Sequence, residues 1–145
     1  ELISSKNLEN FTIVQYGVDA IKEQQKQKTL AEFEGRKPDG TRFTFNPDIE
    51  EKESCQKALQ LAKQIIESGE HDILILDEIN CALDKGLIKT EEVTELIKNH
   101  GKTELIMTGR DVPQEMADMA DYVSIIQRIK HPWQKGIKAR RGIEY

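Results

Sequence analysis

A chain of 145 residues, 37% of them hydrophobic and 32% charged, can bury roughly two-thirds of its unfolded surface in one core without disulfide or metal staples. No apolar run approaches the ~18 residues of a membrane span, and the opening E-L-I-S-S-K-N lacks the basic-then-apolar order of a secretory signal, so a cytoplasmic location with no membrane partner is expected. The net charge of −5 is unevenly placed: six Lys/Arg against one acid from Arg128 to Tyr145 make an electropositive tail on an acidic body.

In chain order, Phe11 to Tyr16 (F-T-I-V-Q-Y) is β-branched and aromatic, bounded by Asn10 and Gly17, and predicts a strand. The polar, Gln/Lys-rich stretch that follows has few large apolar residues, and 18–41 is expected to be a flexible insertion within a single domain spanning 1–145. Arg36 to Gly40 (R-K-P-D-G) is a turn by composition. A long helix is expected from Asn46-Pro47: Asn can cap, Pro suits the first helical position, and Asp48, Glu50 and Glu51 favour the positive end of the dipole. Cys55, Leu59, Ala62 and Ile66 form its apolar stripe, and Ser68-Gly69 ends it.

Ile73 to Leu76 has no polar alternation, the pattern of a strand covered on both faces. A second helix is expected from Glu91 to Asn99, with Thr90 as cap and Gly101 at its end. Glu104 to Thr108 predicts another buried strand, followed by Gly109-Arg110 and a short helix after Pro113, and Tyr122 to Ile126 predicts a last strand. This alternation argues for an α/β fold with a three-layer, mostly parallel sheet. Cys55 and Cys81 make no CxxC and read as free thiols of a reducing cytosol. The basic tail has three readings: an ordered anion-facing wall, a solvated end, or a nucleic-acid arm. Its Pro132, Trp133, Gly136, Gly142 and Tyr145 supply turn and anchor chemistry that favours the first.

In open parallel sheets, ligands sit beyond the carboxyl ends of the strands. Two such ends carry polar residues, Asp77-Glu78-Ile79-Asn80 and Thr108-Gly109-Arg110. An apolar run closed by Asp-Glu has the form of a Walker B segment, whose carboxylate holds Mg²⁺ beside nucleotide phosphates; a solvated strand end has the same look. The expected companion is a G-x-x-x-x-G-K-[ST] loop. Gly35 to Arg42 has the glycine spacing but ends Thr-Arg, and Gly101-Lys102-Thr103 has the tripeptide but Leu96 at the first glycine position. Neither is a phosphate cradle. His71 and His100 are far in sequence from His131, and no Cys/His spacing suits zinc.

D-I-L-I-L-D-E-I-N-C-A-L-D-K-G-L-I, then E-L-I-M-T-G-R, then I-K-H-P-W-Q-K-G-I-K-A-R-R-G-I-E-Y together closely resemble the ATP:corrinoid adenosyltransferases. The resemblance runs from about Arg42 to the terminus, with 128–145 as its basic C-terminal signature. It implies a P-loop NTPase (RecA-like) sheet, here truncated at the N-terminus, and full activity is expected to need a P-loop segment preceding residue 1. It also implies transfer of the 5′-deoxyadenosyl group of ATP to Co(I) of a reduced corrinoid, with triphosphate released. Because Co(I) is itself the nucleophile, no catalytic Ser, Cys or His is implied.

The resemblance places Glu78 and Asp77 at Mg²⁺, and Phe43 and Phe45 against the lower face of the corrin, with Phe45 where Trp is more usual. For Phe43 and Phe45 the competing reading is ordinary core. Thr108, Arg110, Lys130, His131 and Arg140 would face ATP, its triphosphate or the corrinoid, with a structural salt bridge as the other account of Arg110. The implied partners are a flavin-dependent reductant protein and a second copy in a homodimer, and no nucleic acid. The competing functions are a non-catalytic corrinoid-binding or regulatory homologue, and a fragment of a nucleic-acid-dependent RecA-like ATPase.

Overall fold

The computed structural model describes residues 7–17 and 49–140. The expected insertion, the Arg36–Gly40 turn, the Asn46-Pro47 helix start, Phe43, Phe45 and the last residues of the basic tail lie outside them. Helix α1 (Ile49–Ser68) leads into strand β1 (Ile73–Leu76), then the short helix α2 (Ile79–Asp84) and helix α3 (Thr90–Lys98). Strand β2 (Glu104–Met107), helix α4 (Gln114–Met119) and a 3-10 turn (Pro132–Lys135) complete the described elements. No described helix is long and apolar enough to cross a membrane.

Helix α1 ends where its sequence says. The Ser68 hydroxyl donates to the Ile65 carbonyl at 2.8 Å, and Gly69, at φ +63°, lets its N–H reach back to the Ile66 carbonyl. Leu59 and Ala62 of its stripe are buried, with Cys55 and Ile66 packed beside them. Helix α3 buries Val93 and Leu96. Its cap is Lys89 rather than Thr90, which is already helical. The Lys89 N–H is satisfied by the Glu92 carboxylate at 3.0 Å, so the acid three residues on closes the turn.

Strands β1 and β2 pair in parallel, with Ile73 opposite Glu104 and Leu76 opposite Met107. Leu74, Leu76, Leu105 and Met107 point inward onto the core of Leu59, Ala62, Ile79, Ile88, Val93, Leu96 and Met116. The connection from β1 to β2 runs through α2 and α3, as a parallel pair requires. Below the sheet, the Thr103 side chain is fully buried, its hydroxyl donating to the His71 carbonyl at 3.1 Å. That bond fixes the approach to β2 against the approach to β1.

Three expectations are corrected. Ile73 and Ile75 are 56% and 51% exposed, so among the described residues β1 is covered on one face only; an unbroken apolar run does not say how many faces find a partner. Phe11 to Tyr16 and Tyr122 to Ile126 form no strand. Their composition suits a pleated surface, but a strand exists only with a hydrogen-bonded neighbour, and the described sheet has just β1 and β2. Among the described residues the architecture is therefore α/β, with a parallel pair and helices against one face: two of the three expected layers.

Candidate functional site at two strand tips

Parallel register brings the two polar strand ends together. Because Leu76 lies opposite Met107, the next residue of each strand, Asp77 and Thr108, emerges at the same edge. The Thr108 N–H continues the ladder to the Leu76 carbonyl at 3.2 Å. Its hydroxyl then donates to Asp77 Oδ1 at 2.6 Å and accepts from the Glu78 N–H at 2.9 Å. One oxygen thus links both acidic residues, and the bond to the carboxylate has the short length of a charge-assisted pair.

Glu78 has φ 59° and ψ 20°, the left-handed region that a residue with a Cβ enters at a cost. This reversal turns the chain from β1 directly into α2. The Glu78 carbonyl accepts from the N–H groups of Cys81 and Ala82 at 3.0 and 3.2 Å. The Cys81 thiol, three residues on and on the same side of the helix turn, donates to Glu78 Oε2 at 2.6 Å. Burial, and next the bond to Glu78, push the Cys81 thiol above its ordinary value, while the backbone N–H and the charge of Arg110 pull it down. Arg110 is therefore beside this cluster.

Asn80 closes the tip from beneath. It is 7% exposed, its N–H bonds the Thr108 carbonyl at 3.2 Å, and its Oδ1 is buried without a partner among the described residues. Gly109 passes close above it at φ +131°. A Cβ on Gly109 would stand 2.9 Å from the Asn80 Cβ and 3.1 Å from the backbone nitrogens of Asn80 and Cys81. Only glycine lets the second tip lie this close to the first.

The donor set suits a hard cation. Asp77 and Glu78 present oxygen ligands, each with one carboxylate oxygen engaged by Thr108 or Cys81 and the other available among the described residues. No group of three or more His, Cys, Asp or Glu gathers as a cage among the described residues, and a Mg²⁺ ion held by one or two carboxylates plus substrate phosphate needs none. A trough of about 600 Å³ lies elsewhere. It lies between α1 and α3 and is lined by Lys52, Gln56, Lys63 and Glu92, a solvated trough without convergent chemistry.

Of the expected site residues, Asp77, Glu78 and Thr108 are in bonding contact and Arg110 lies beside them. Lys130, His131 and Arg140 are carried on the C-terminal segment around the 3-10 turn, where Lys130 and Arg140 are exposed and His131 half-buried. The His131 N–H donates to Gln134 Oε1 at 2.8 Å, which tightens that turn. Phe43 and Phe45 lie outside the described residues. Sequence reasoning placed Asn80 and Gly109 at the two strand ends without a role for either, and missed Cys81 at the site. The signal for Cys81 was its spacing of three from Glu78 at a helix start, legible only once α2 is known to begin at Ile79.

Comparison with known proteins identifies the family. The family model described as "ATP:corrinoid adenosyltransferase BtuR/CobO/CobP" matches residues 7–145. A corrinoid adenosyltransferase of Sinorhizobium sp is 36% identical over 93 residues, covering 63% of this chain and 44% of its own length. That of Escherichia coli K12 is 30% identical over 109 residues, covering 72% of this chain and 55% of its own. Corrinoid adenosyltransferase CobA of Salmonella typhimurium is 30% identical over 108 residues, with 72% and 55% covered. The chain thus spans about half the length of the curated relatives it matches. A match over nearly the whole chain, carrying both strand tips, shows that it belongs to the ATP:corrinoid adenosyltransferase family.

Proposed function

We propose that this chain carries the Mg²⁺-binding and substrate-positioning part of a corrinoid adenosyltransferase on a P-loop NTPase type sheet. The observation that supports it is the joined pair of tips, where the Thr108 hydroxyl bonds the Asp77 carboxylate and the Glu78 backbone N–H, and each of the two carboxylates keeps one oxygen available among the described residues. In the proposed reaction the Co(I) electron pair of a reduced corrinoid attacks the 5′ carbon of ATP. The Co–C bond forms, the C5′–O bond breaks, and its electrons leave with triphosphate. Mg²⁺, when bound, neutralises charge on that leaving group.

The residues of the chain serve to hold and orient. Asp77 and Glu78 would bind the cation, and Arg110 would meet phosphate or a corrinoid side chain with a planar fork of donors. Lys130, His131 and Arg140 would add contacts to nucleotide or corrinoid. Phe43 and Phe45 would cover the lower corrin face and exclude water and the axial ligand, since a four-coordinate cobalt is easier to reduce. A flavin-dependent reductant and a homodimer complete the reading.

The test uses the full-length polypeptide with ATP, Mg²⁺ and chemically reduced cob(I)alamin, following Co–C bond formation in the visible spectrum. Turnover is expected, and Glu78→Gln should lower it at least tenfold at fixed Mg²⁺ while leaving the thermal midpoint in place. A folded, full-length protein that forms no Co–C bond would end the proposal.

A further inference from the structure

The Thr108 hydroxyl has little capacity left for a ligand. Its single proton is given to Asp77 Oδ1 at 2.6 Å, and one lone pair takes the Glu78 N–H at 2.9 Å. A hydroxyl has one proton to give, so Thr108 donates no hydrogen bond to phosphate or corrinoid in this arrangement. What it does is hold two neighbouring residues of the other strand at once, one by side chain and one by backbone.

That double grip falls on a strained point. Glu78 sits at φ 59° without being glycine, and strained backbone persists where the surroundings over-determine it. Here the Glu78 N–H is tied to Thr108, its carbonyl to Cys81 and Ala82, and its Oε2 to the Cys81 thiol. Of these, only the Thr108 hydroxyl also reaches Asp77. The closeness that permits it depends on Gly109, whose bare Cα rests against Asn80.

We infer that Thr108 is a positioning residue: its hydroxyl sets Asp77 and holds Glu78 in the left-handed turn, so that the two carboxylates present their remaining oxygens together to a divalent cation. This rests on the metal reading of Asp77 and Glu78. It differs from a substrate contact, because removing the hydroxyl should act through cation affinity and be relieved by any side chain that restores it. Partners that orient metal ligands are typically worth 10–100-fold in affinity.

The experiment titrates Mn²⁺ into the full-length protein with ATP present, reading free Mn²⁺ by electron paramagnetic resonance, for the wild type and for Thr108→Val, Thr108→Ser and Glu78→Gln. Thr108→Val should weaken Mn²⁺ binding roughly tenfold or more at an unchanged thermal midpoint, and Thr108→Ser should restore it. Where the second methyl of valine prevents folding, Thr108→Ala against Thr108→Ser makes the same comparison. If Glu78→Gln loses binding while the hydroxyl-free variants keep it, the inference alone is overturned. A loss in Thr108→Ser as large as in Thr108→Val also overturns it, because the threonine methyl and not the hydroxyl would then be responsible. If Glu78→Gln binds Mn²⁺ like the wild type, the metal reading falls and the inference with it.

Discussion

At the scale of single residues, the backbone of Glu78 is the point where stability and chemistry oppose each other. A left-handed conformation costs a residue with a Cβ about 1 kcal/mol or more, and Glu78 occupies it at φ 59°, ψ 20°. Asn10 and Asp111 also have positive φ, but their short polar side chains tolerate it better. Replacing Glu78 with glycine should therefore stabilise the protein by about 1 kcal/mol, raising the thermal midpoint by about 3 °C, although the bond from Cys81 is lost. The same variant should lose Mg²⁺-dependent adenosyl transfer, because only the Asp77 carboxylate remains at the tip. Differential scanning calorimetry beside the Co–C assay checks both halves. A destabilised Glu78→Gly would mean that the Cys81–Glu78 bond outweighs the backbone strain.

At the scale of elements, α1 was legible because burial imposes a 3.6-residue spacing that the order of its apolar residues records, and α3 from its terminal residues. The ends were legible where glycine takes positive φ, at Gly69 and Gly101. Helix α2 was not, since six residues are too few to show a period, and with it Cys81 stayed unassigned. The strand tips were legible as polar residues after apolar runs. What joins them was not, because a hydroxyl bridging thirty residues of separation depends on register. Gly109 gives that register a direct test. Gly109→Ala would drive a Cβ to 2.9 Å from the Asn80 Cβ at φ +131°, and overpacking of this kind costs about 1–3 kcal/mol. Urea unfolding should show a lower midpoint at unchanged slope. Adenosyl transfer should fall further than stability does, because the tips are forced apart.

At the scale of the whole molecule, the sheet has one finished and one bare face among the described residues. Leu74, Leu76, Leu105 and Met107 meet the helices, whereas Ile73, Ile75 and Ile106 are 56%, 51% and 45% exposed. Tyr122, Ile125 and Ile126 are more exposed still, at 94%, 82% and 97%. An apolar run announces that a strand wants cover on both sides, and the structure shows that only one side is covered among the described residues. The 145-residue chain should consequently enhance the fluorescence of an apolar dye such as ANS while keeping its helical circular dichroism. Ile75→Thr and Ile106→Thr should each reduce that signal and change stability by about 0.5 kcal/mol or less, as exposed positions do. Leu96→Ala, at a residue 2% exposed, should instead cost about 2–5 kcal/mol. If Ile75→Thr destabilised the chain as severely as Leu96→Ala, the outer face of β1 would be covered in solution. The sheet would then have the third layer that its apolar strands were expected to carry.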